Sequence, residues 1–177
     1  MKKLILLNKE FHLYITHEQI KAEIDKLAKR ITYDLSDKLP LFISLLNGAF
    51  MFTSDLLKRL DFDCNISFVK ISSYEGSQST GKLNYYFGLN EKIKGRNVVV
   101  IDDIVDTGTT LFYFLEELKA LHPSELKVAV MFSKPDAIYP IHVDYLGMNI
   151  EKKFVIGYGL DYNGLGRNYK DLYKSTN

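Results

Sequence analysis

The residue types best suited to chemistry lie together at residues 98–110, in the sequence VVVIDDIVDTGTT. An apolar run of strand-forming residues leads into two carboxylates and then into a turn that opens a helical pattern. Main-chain N–H groups of such a turn, the positive end of the helix and the threonine hydroxyls can all bind one anion. We therefore predict a phosphomonoester site in the turn, which consists of Asp106, Thr107, Gly108, Thr109 and Thr110.

The two carboxylates, Asp102 and Asp103, follow the apolar run directly, where we expect the strand to end. Neighbouring strand residues face opposite ways, so at most one of the two is expected to point straight into the site. Carboxylates beside a phosphate suit a cis-diol or a Mg²⁺ ion.

Other interpretations of this stretch are weaker. A plain strand followed by a capped helix with a solvated acidic turn needs no ligand at all. An apolar run ending in two acids also occurs in P-loop ATPases, but the chain has no G-x-x-x-x-G-K-S/T loop. A dinucleotide fold of the Rossmann type needs G-x-G-x-x-G, which is missing around Gly108.

Residues 98–110 resemble the phosphoribosyl-diphosphate motif of type I phosphoribosyltransferases, and they are most similar to the hypoxanthine-guanine branch. The resemblance implies an α/β fold, with a central, mostly parallel β-sheet flanked by helices and a small hood built from the terminal segments. It implies Mg²⁺-dependent transfer of phosphoribosyl from 5-phosphoribosyl 1-diphosphate to N9 of a 6-oxopurine, with release of pyrophosphate. Asp102 and Asp103 would then hold ribose hydroxyls or metal, and Asp106 is the candidate base for the N7 proton.

Two later segments match the same branch. By resemblance, Lys134 holds the purine 6-oxo group, although a lysine at a strand end is often simply solvated. Within residues 152–167, Phe154 would stack on the purine and Val155 would bind the ring edge through its main chain. Asp161 would lie near a Mg²⁺ ion, and Arg167 would meet the pyrophosphate. The alternative, in which these residues have only a structural role, is a β-hairpin with a core phenylalanine and a surface ion pair.

Two loops complete the resemblance. Asn47 and Gly48 follow a strand, and their amides would receive pyrophosphate, with a cis peptide at Leu46–Asn47. Many family members carry lysine where this chain has Asn47, so we expect a main-chain contact there and no side-chain charge. Asn-Gly is also a common turn. Ser73 and Tyr74 open a Gly- and Ser-rich stretch and resemble the family's catalytic lid.

The acceptor base is less closely defined. An ammonium can only donate, so Lys134 favours a 6-oxopurine over adenine. Hypoxanthine, guanine and xanthine are not ranked. A nucleotide-sensing, RNA-binding regulator with the same fold is a further alternative, but it calls for a basic face.

Composition and charge limit the domain organisation, the partners and the cellular location that we expect of the protein. The 177 residues suit a single domain, residues 1–177. The formal charge of +1 gives no reason to expect nucleic acid or membrane as a partner. A single cysteine, Cys64, excludes an internal disulfide and favours a cytoplasmic location. The partners expected are small-molecule substrates and, by resemblance, further copies in a homodimer or homotetramer.

Alternating strand and helix patterns must position these groups. A Thr16–Gln19 capping box opens a helix predicted over 17–35. Further predictions are an N-terminal strand, strands at 41–46, 65–72, 98–102 and 127–133, helices ending near Leu60 and Leu121, and a long loop after Ser73. The pattern indicates a parallel sheet covered on both faces, with ligands at the carboxyl ends of its strands.

Overall fold

The structure is a computed structural model that describes residues 3–73, 83–135 and 138–176. Its elements in chain order are β1 (Lys3–Leu6), β2 (Lys9–Ile15), α1 (His17–Leu35), β3 (Leu41–Leu46), α2 (Phe50–Leu57), β4 (Asn65–Ser73), β5 (Leu83–Phe87), β6 (Asn97–Val105), α3 (Thr109–Ala120), β7 (Glu125–Ser133), β8 (Tyr145–Asn149), β9 (Val155–Ile156) and β10 (Leu172–Ser175).

The main sheet has six strands in the order β5-β4-β3-β6-β7-β8. Its pairs are parallel except for β4 with β5. Alternate residues of the central strands face opposite sides, as the pleat requires. Phe42 and Val99 pack with α1 and α2, whereas Ile43 and Val100 pack with α3. The prediction of a mostly parallel sheet covered on both faces is therefore confirmed.

The predicted first helix is confirmed at both ends. The Thr16 side chain accepts from the Gln19 N–H, and the Gln19 side chain accepts from the Thr16 N–H. This capping box satisfies main-chain donors that the first turn leaves unpaired. The apolar stripe of α1 is buried and consists of Ile20, Ile24, Leu27, Ala28, Ile31 and Leu35.

A second, antiparallel sheet with the order β1-β2-β10-β9 forms the hood. It joins the first residues of the chain to the last ones, with Leu13 opposite Tyr173. The expectation of a hood made from terminal segments is confirmed, and the predicted N-terminal strand is a hairpin of two strands.

Several elements differ from their predicted bounds. Strand β6 continues through both acids to Val105, because its pairing with β7 extends to Val105 opposite Ser133. Strand β5 occupies part of the predicted loop, where aromatic residues favour strand over coil. Helix α2 ends at Leu57, and the next residues form tighter turns in which the Leu60 N–H donates to the Leu57 carbonyl. Residues 74–82, the centre of the predicted loop, lie outside the described residues.

Within the ranges that the structure describes, no helix is both long enough and apolar enough to cross a bilayer.

Candidate active site

A cleft opens where two central strands separate. Strand β3 pairs with β6 only as far as Ser44 opposite Ile101, whereas β6 continues beside β7. The gap beyond this point is a cleft of about 250 Å³. Its lining residues are Leu45, Leu46, Gly48, Ile71, Asp102, Asp103, Ile104, Asp106, Thr107, Gly108, Thr109, Thr110 and Leu111. The predicted phosphate turn and acid pair thus share one concave surface at the carboxyl ends of the strands.

Both carboxylates of the acid pair, Asp102 and Asp103, border this cleft. Both residues can border the cleft because β6 has no β3 neighbour at this level. The Asp102 carboxylate accepts from the Asp103 N–H at 2.9 Å, and the Asp103 carboxylate accepts from the Ile104 N–H at 2.8 Å. Each carboxylate therefore accepts from the N–H of the residue that follows it in β6.

The acid pair is electrostatically unfavourable on its own. Burial raises the pKa of Asp102 well above its usual range, and the negative charge of Asp103 raises it further. Burial also raises the pKa of Asp103, although hydrogen bonds from Asp102 and Ile104 and the positive charge of Arg167 oppose the rise. Both residues keep partial contact with solvent. Negative charge held here would be stabilised by an arriving cation or by hydroxyl donors.

The turn of residues 106–110 has its geometry fixed by Gly108, which caps the N-terminus of α3 with φ +79°. A Cβ at this position would lie 2.9 Å from the flexible end of the Ile141 side chain, so it is the backbone conformation above all that requires glycine. The Thr107 carbonyl accepts from the Ile138 N–H at 2.9 Å, which supports the turn from beneath. The first N–H groups of α3 have no partners within the helix; the Thr109 N–H donates to the Thr107 hydroxyl at 3.4 Å, and the N–H groups that follow it can bind an anion.

Lys134 enters the same region from β7. Its N–H donates to the Val105 carbonyl at 2.9 Å, and its ammonium lies 2.8 Å from Asp106 Oδ2. The Lys134 side chain is only 9% exposed, whereas that of Asp106 is 60% exposed. The parallel register of β6 and β7 brings these two residues together, with a nearly buried donor beside an accessible acceptor.

Gly48, one of the residues proposed to bind pyrophosphate, packs directly against the acid pair. A Cβ on Gly48 would lie 1.6 Å from Asp103 Oδ2, and a Cβ on Gly159 would lie 2.0 Å from the Gly48 carbonyl oxygen. Arg167 donates to the Gly159 carbonyl at 2.8 Å and pairs with Asp161 at 2.5 Å. Glycines are needed at this contact because main chain meets main chain and carboxylate directly.

The Leu46–Asn47 peptide is cis, which confirms the expectation from the resemblance. The Asn47 carbonyl accepts from the Phe50 N–H at 3.4 Å, in the turn that leads into α2. The Asn47 side chain is not among the groups that line the cleft.

The remaining candidates lie in the hood or at the edge of the described chain. Phe154 is 42% exposed and packs with Phe11 and Tyr162 in the hood, and like Lys134 it is not among the residues that line the 250 Å³ cleft. Val155 is buried opposite Lys174 in β9. Ser73 ends β4, and Tyr74 lies outside the described residues.

Sequence reasoning missed several contributors to this cleft. Ile104 lies between the acid pair and the turn, and its position inside the same motif is the signal that could have identified it. Gly159 has φ +96° and packs directly against the Gly48 carbonyl. The Gly-Tyr-Gly sequence at residues 157–159 is the signal that could have identified it. Leu45 and Ile71 line the cleft only because of the three-dimensional strand order, so their sequence carried no such signal.

Metal-binding capacity in this region depends on the acid pair. Among residues 3–73, 83–135 and 138–176, no three His, Cys, Asp or Glu side chains gather closely enough to hold a metal ion on their own. Mg²⁺ commonly takes one or two carboxylates and completes its shell with water and substrate phosphates, so two adjacent acids are a suitable protein contribution.

Comparison with known proteins gives consistent matches. Residues 14–163 match the family model described as "Phosphoribosyl transferase domain". A hypoxanthine-guanine-xanthine phosphoribosyltransferase of Tritrichomonas foetus is 39% identical, and the alignment covers 85% of this chain and 84% of that protein. A hypoxanthine-guanine phosphoribosyltransferase of Streptococcus pyogenes is 35% identical, with 90% and 88% covered. The crystal structure of a Staphylococcus aureus hypoxanthine phosphoribosyltransferase superposes with a TM-score of 0.88 at 34% identity, over 93% of this chain and 90% of that one.

Proposed function

Because the chain belongs to the phosphoribosyltransferase family, we propose that it transfers phosphoribosyl from 5-phosphoribosyl 1-diphosphate to N9 of a 6-oxopurine in the cleft between β3 and β6. It is a purine-salvage enzyme that acts on hypoxanthine and guanine, and its products are a nucleoside 5′-monophosphate and pyrophosphate. The single observation that best supports this site is the pairing of Lys134 with Asp106 beside the 106–110 turn.

That pairing matches one edge of the acceptor. A 6-oxopurine with a proton on N7 presents a carbonyl acceptor next to an N–H donor. Lys134 donates to O6, and Asp106 accepts from N7, so the two side chains exchange their mutual contact for two contacts with the base. Adenine presents amino protons to an ammonium that can only donate, and it binds poorly for that reason.

The proton and the electrons balance in one displacement. N9 attacks C1′ of the ribose, and the C1′–O bond breaks, so that its electron pair leaves with pyrophosphate. The N7 proton passes to Asp106, which keeps the purine nucleophilic as the new bond forms. Positioned proton transfer of this kind typically contributes ~10²- to 10⁴-fold in rate.

Charge on the leaving group is stabilised by Arg167, which acts beside the main chain of Asn47 and Gly48. The 106–110 turn holds the 5′-phosphate, and the acid pair holds the ribose hydroxyls, so C1′ is fixed in line with the base. Asp102, Asp103 and Asp161 are the candidate Mg²⁺ ligands, one or two of them to an ion, with water and substrate oxygens completing its shell. A bound ion would neutralise the pyrophosphate charge.

Water must be excluded from the ribose while it carries positive charge. We assign this role to the segment that begins at Ser73 and Tyr74, which would close over the cleft as a lid. Phe154 stacks on the purine from the hood side, and Val155 binds the ring edge through its main chain.

Xanthine is a second acceptor candidate, because the Tritrichomonas foetus relative carries xanthine in its name. An RNA-binding regulator is less consistent with a formal charge of +1. We further propose a single domain over residues 1–177, a cytoplasmic location, and a homodimer or homotetramer.

A spectrophotometric panel tests the proposal. The purified protein is given 5-phosphoribosyl 1-diphosphate and Mg²⁺ with hypoxanthine, guanine, xanthine or adenine. We expect turnover with hypoxanthine and guanine, none with adenine, and loss of turnover in EDTA that added Mg²⁺ restores. Equal turnover of adenine and hypoxanthine would contradict the role of Lys134, and full activity in EDTA would contradict the metal requirement.

A further inference from the structure

The N-terminal hairpin of β1 and β2 places a cation over two aromatic rings of the hood. Lys9 Nζ lies 4.6 Å from the centre of the Tyr162 ring and 5.2 Å from the centre of the Phe154 ring. An ammonium within about 6 Å of a ring centre is attracted by the negative face of the ring. Phe154 and Tyr162 meet edge to face, with 5.7 Å between their centres, so one ammonium serves both rings.

The same hairpin holds these rings from a second direction. The Phe11 side chain is completely buried, and its ring centre lies 6.2 Å from that of Phe154 and 6.3 Å from that of Tyr162. The Tyr162 hydroxyl also donates to the Asn8 side chain at 3.4 Å. The adjacent acid, Glu10, pairs with Lys3 and His12 instead of with Lys9.

This support comes from outside the family match. The match covers residues 14–163, so it includes Phe154 and Tyr162 but neither Lys9 nor Phe11.

We infer that Lys9 is a positioning residue for the purine subsite, where it holds the Phe154 ring in the orientation that stacks on the base. The inference depends on the proposed function, because stacking by Phe154 is part of it. Phe154 is 42% exposed, so a ring without this contact would sample more rotamers. Ordering it beforehand lowers the entropy lost when the base binds. The effect should fall on the purine and not on 5-phosphoribosyl 1-diphosphate, which binds at the 106–110 turn.

Three single substitutions test whether the positive charge of Lys9, and not only the bulk of its side chain, holds the Phe154 ring. Lys9→Met keeps the apolar stem and removes the charge, Lys9→Arg keeps a cation that can lie over a ring, and Lys3→Met removes the hairpin lysine that pairs with Glu10. We expect Lys9→Met to raise the KM for hypoxanthine by roughly three- to tenfold. The kcat and the KM for 5-phosphoribosyl 1-diphosphate should stay within about twofold. Lys9→Arg and Lys3→Met should resemble the wild type.

A double substitution tests whether Lys9 acts through Phe154. In a Phe154→Ala background, Lys9→Met should have no further effect on the KM for hypoxanthine, since the ring it positions is gone. An undiminished effect there would overturn the inference, as would an unchanged KM in Lys9→Met or an equal rise in both KM values.

The same variants separate this inference from the proposed function. If Phe154→Ala raises the KM for hypoxanthine while Lys9→Met does not, only the role of Lys9 is wrong. If Phe154→Ala leaves that KM unchanged, the stacking role of Phe154 is wrong, and the inference about Lys9 falls with it. Because Lys9 is exposed, we expect all its variants to fold, and a thermal melt checks this.

Discussion

Adding one methyl group at Gly48 should disable the acid pair while leaving the fold intact. In Gly48→Ala the new Cβ would lie 1.6 Å from Asp103 Oδ2 and 2.5 Å from its Cγ. Ordinary contact begins near 3.4 Å, so the carboxylate must retreat by about 1.8 Å. The retreat also strains the 2.8 Å hydrogen bond from the Ile104 N–H, because the Asp103 side chain is too short to keep both positions.

The expected fall in kcat/KM can be estimated from the contact that Asp103 makes with ribose in the proposed function. A hydrogen bond to a charged group contributes about 1.5–3 kcal/mol, which corresponds to roughly a 10- to 150-fold fall in kcat/KM for 5-phosphoribosyl 1-diphosphate. The assay is initial-rate kinetics at saturating hypoxanthine, with a thermal melt on the same preparation. We expect the melting temperature to change little, since the displaced group is a side chain at the edge of a cleft.

Gly88→Ala is the matched control, because its Cβ would meet Tyr85 at an ordinary 3.7 Å. It should leave both kinetics and melting unchanged. A Gly48→Ala enzyme with kcat/KM within about twofold of the wild type would refute the reasoning. If Gly48→Ala destabilises the fold, Asp103→Ala in the same chain should restore stability, because the three atoms nearest to the new Cβ all belong to that carboxylate.

Three further predictions concern single side chains. Asp106→Asn should lower kcat with hypoxanthine by ~10²- to 10⁴-fold at saturating 5-phosphoribosyl 1-diphosphate, and a fall of less than about threefold would exclude it as the base. Lys134→Met should lower kcat/KM for hypoxanthine by roughly 10- to 150-fold while changing the trace rate with adenine much less; equal losses would contradict its contact with O6. Burial acts to raise the pKa of Asp55, but hydrogen bonds from Tyr158 and Lys58 outweigh it and lower that pKa, so this carboxylate stabilises the fold when ionised. Tyr158→Phe should therefore cost about 1.5–3 kcal/mol of unfolding free energy in urea at pH 7. That cost should shrink as the pH falls below about 4, and a cost independent of pH would be contrary to this account.

Local chemistry explains which elements could be predicted. Helix α1 is confirmed at both ends because its 3.6-residue periodicity and its capping box depend only on near neighbours in the sequence. The central strands could also be predicted from the sequence, since buried parallel strands are continuously apolar.

Longer-range contacts explain what could not be predicted. Aspartate disfavours strands, so the sequence suggested that β6 would stop at the acid pair, yet pairing with β7 carries it to Val105. The cleft exists because the pairing of β3 with β6 ends at Ser44. No local sequence pattern predicts where that pairing ends. Likewise, the contact of Lys134 with Asp106 follows from the register between two strands, and Lys9 meets Phe154 only through the hood.

The most direct test of the account is a crystal structure of the protein with inosine 5′-monophosphate. We predict that the 5′-phosphate oxygens accept from main-chain N–H groups of residues 106–110, with the ribose hydroxyls at the acid pair and the purine O6 at Lys134. A nucleotide bound at any other surface, with the 106–110 turn making no phosphate contact, would contradict the assignment of this cleft as the active site.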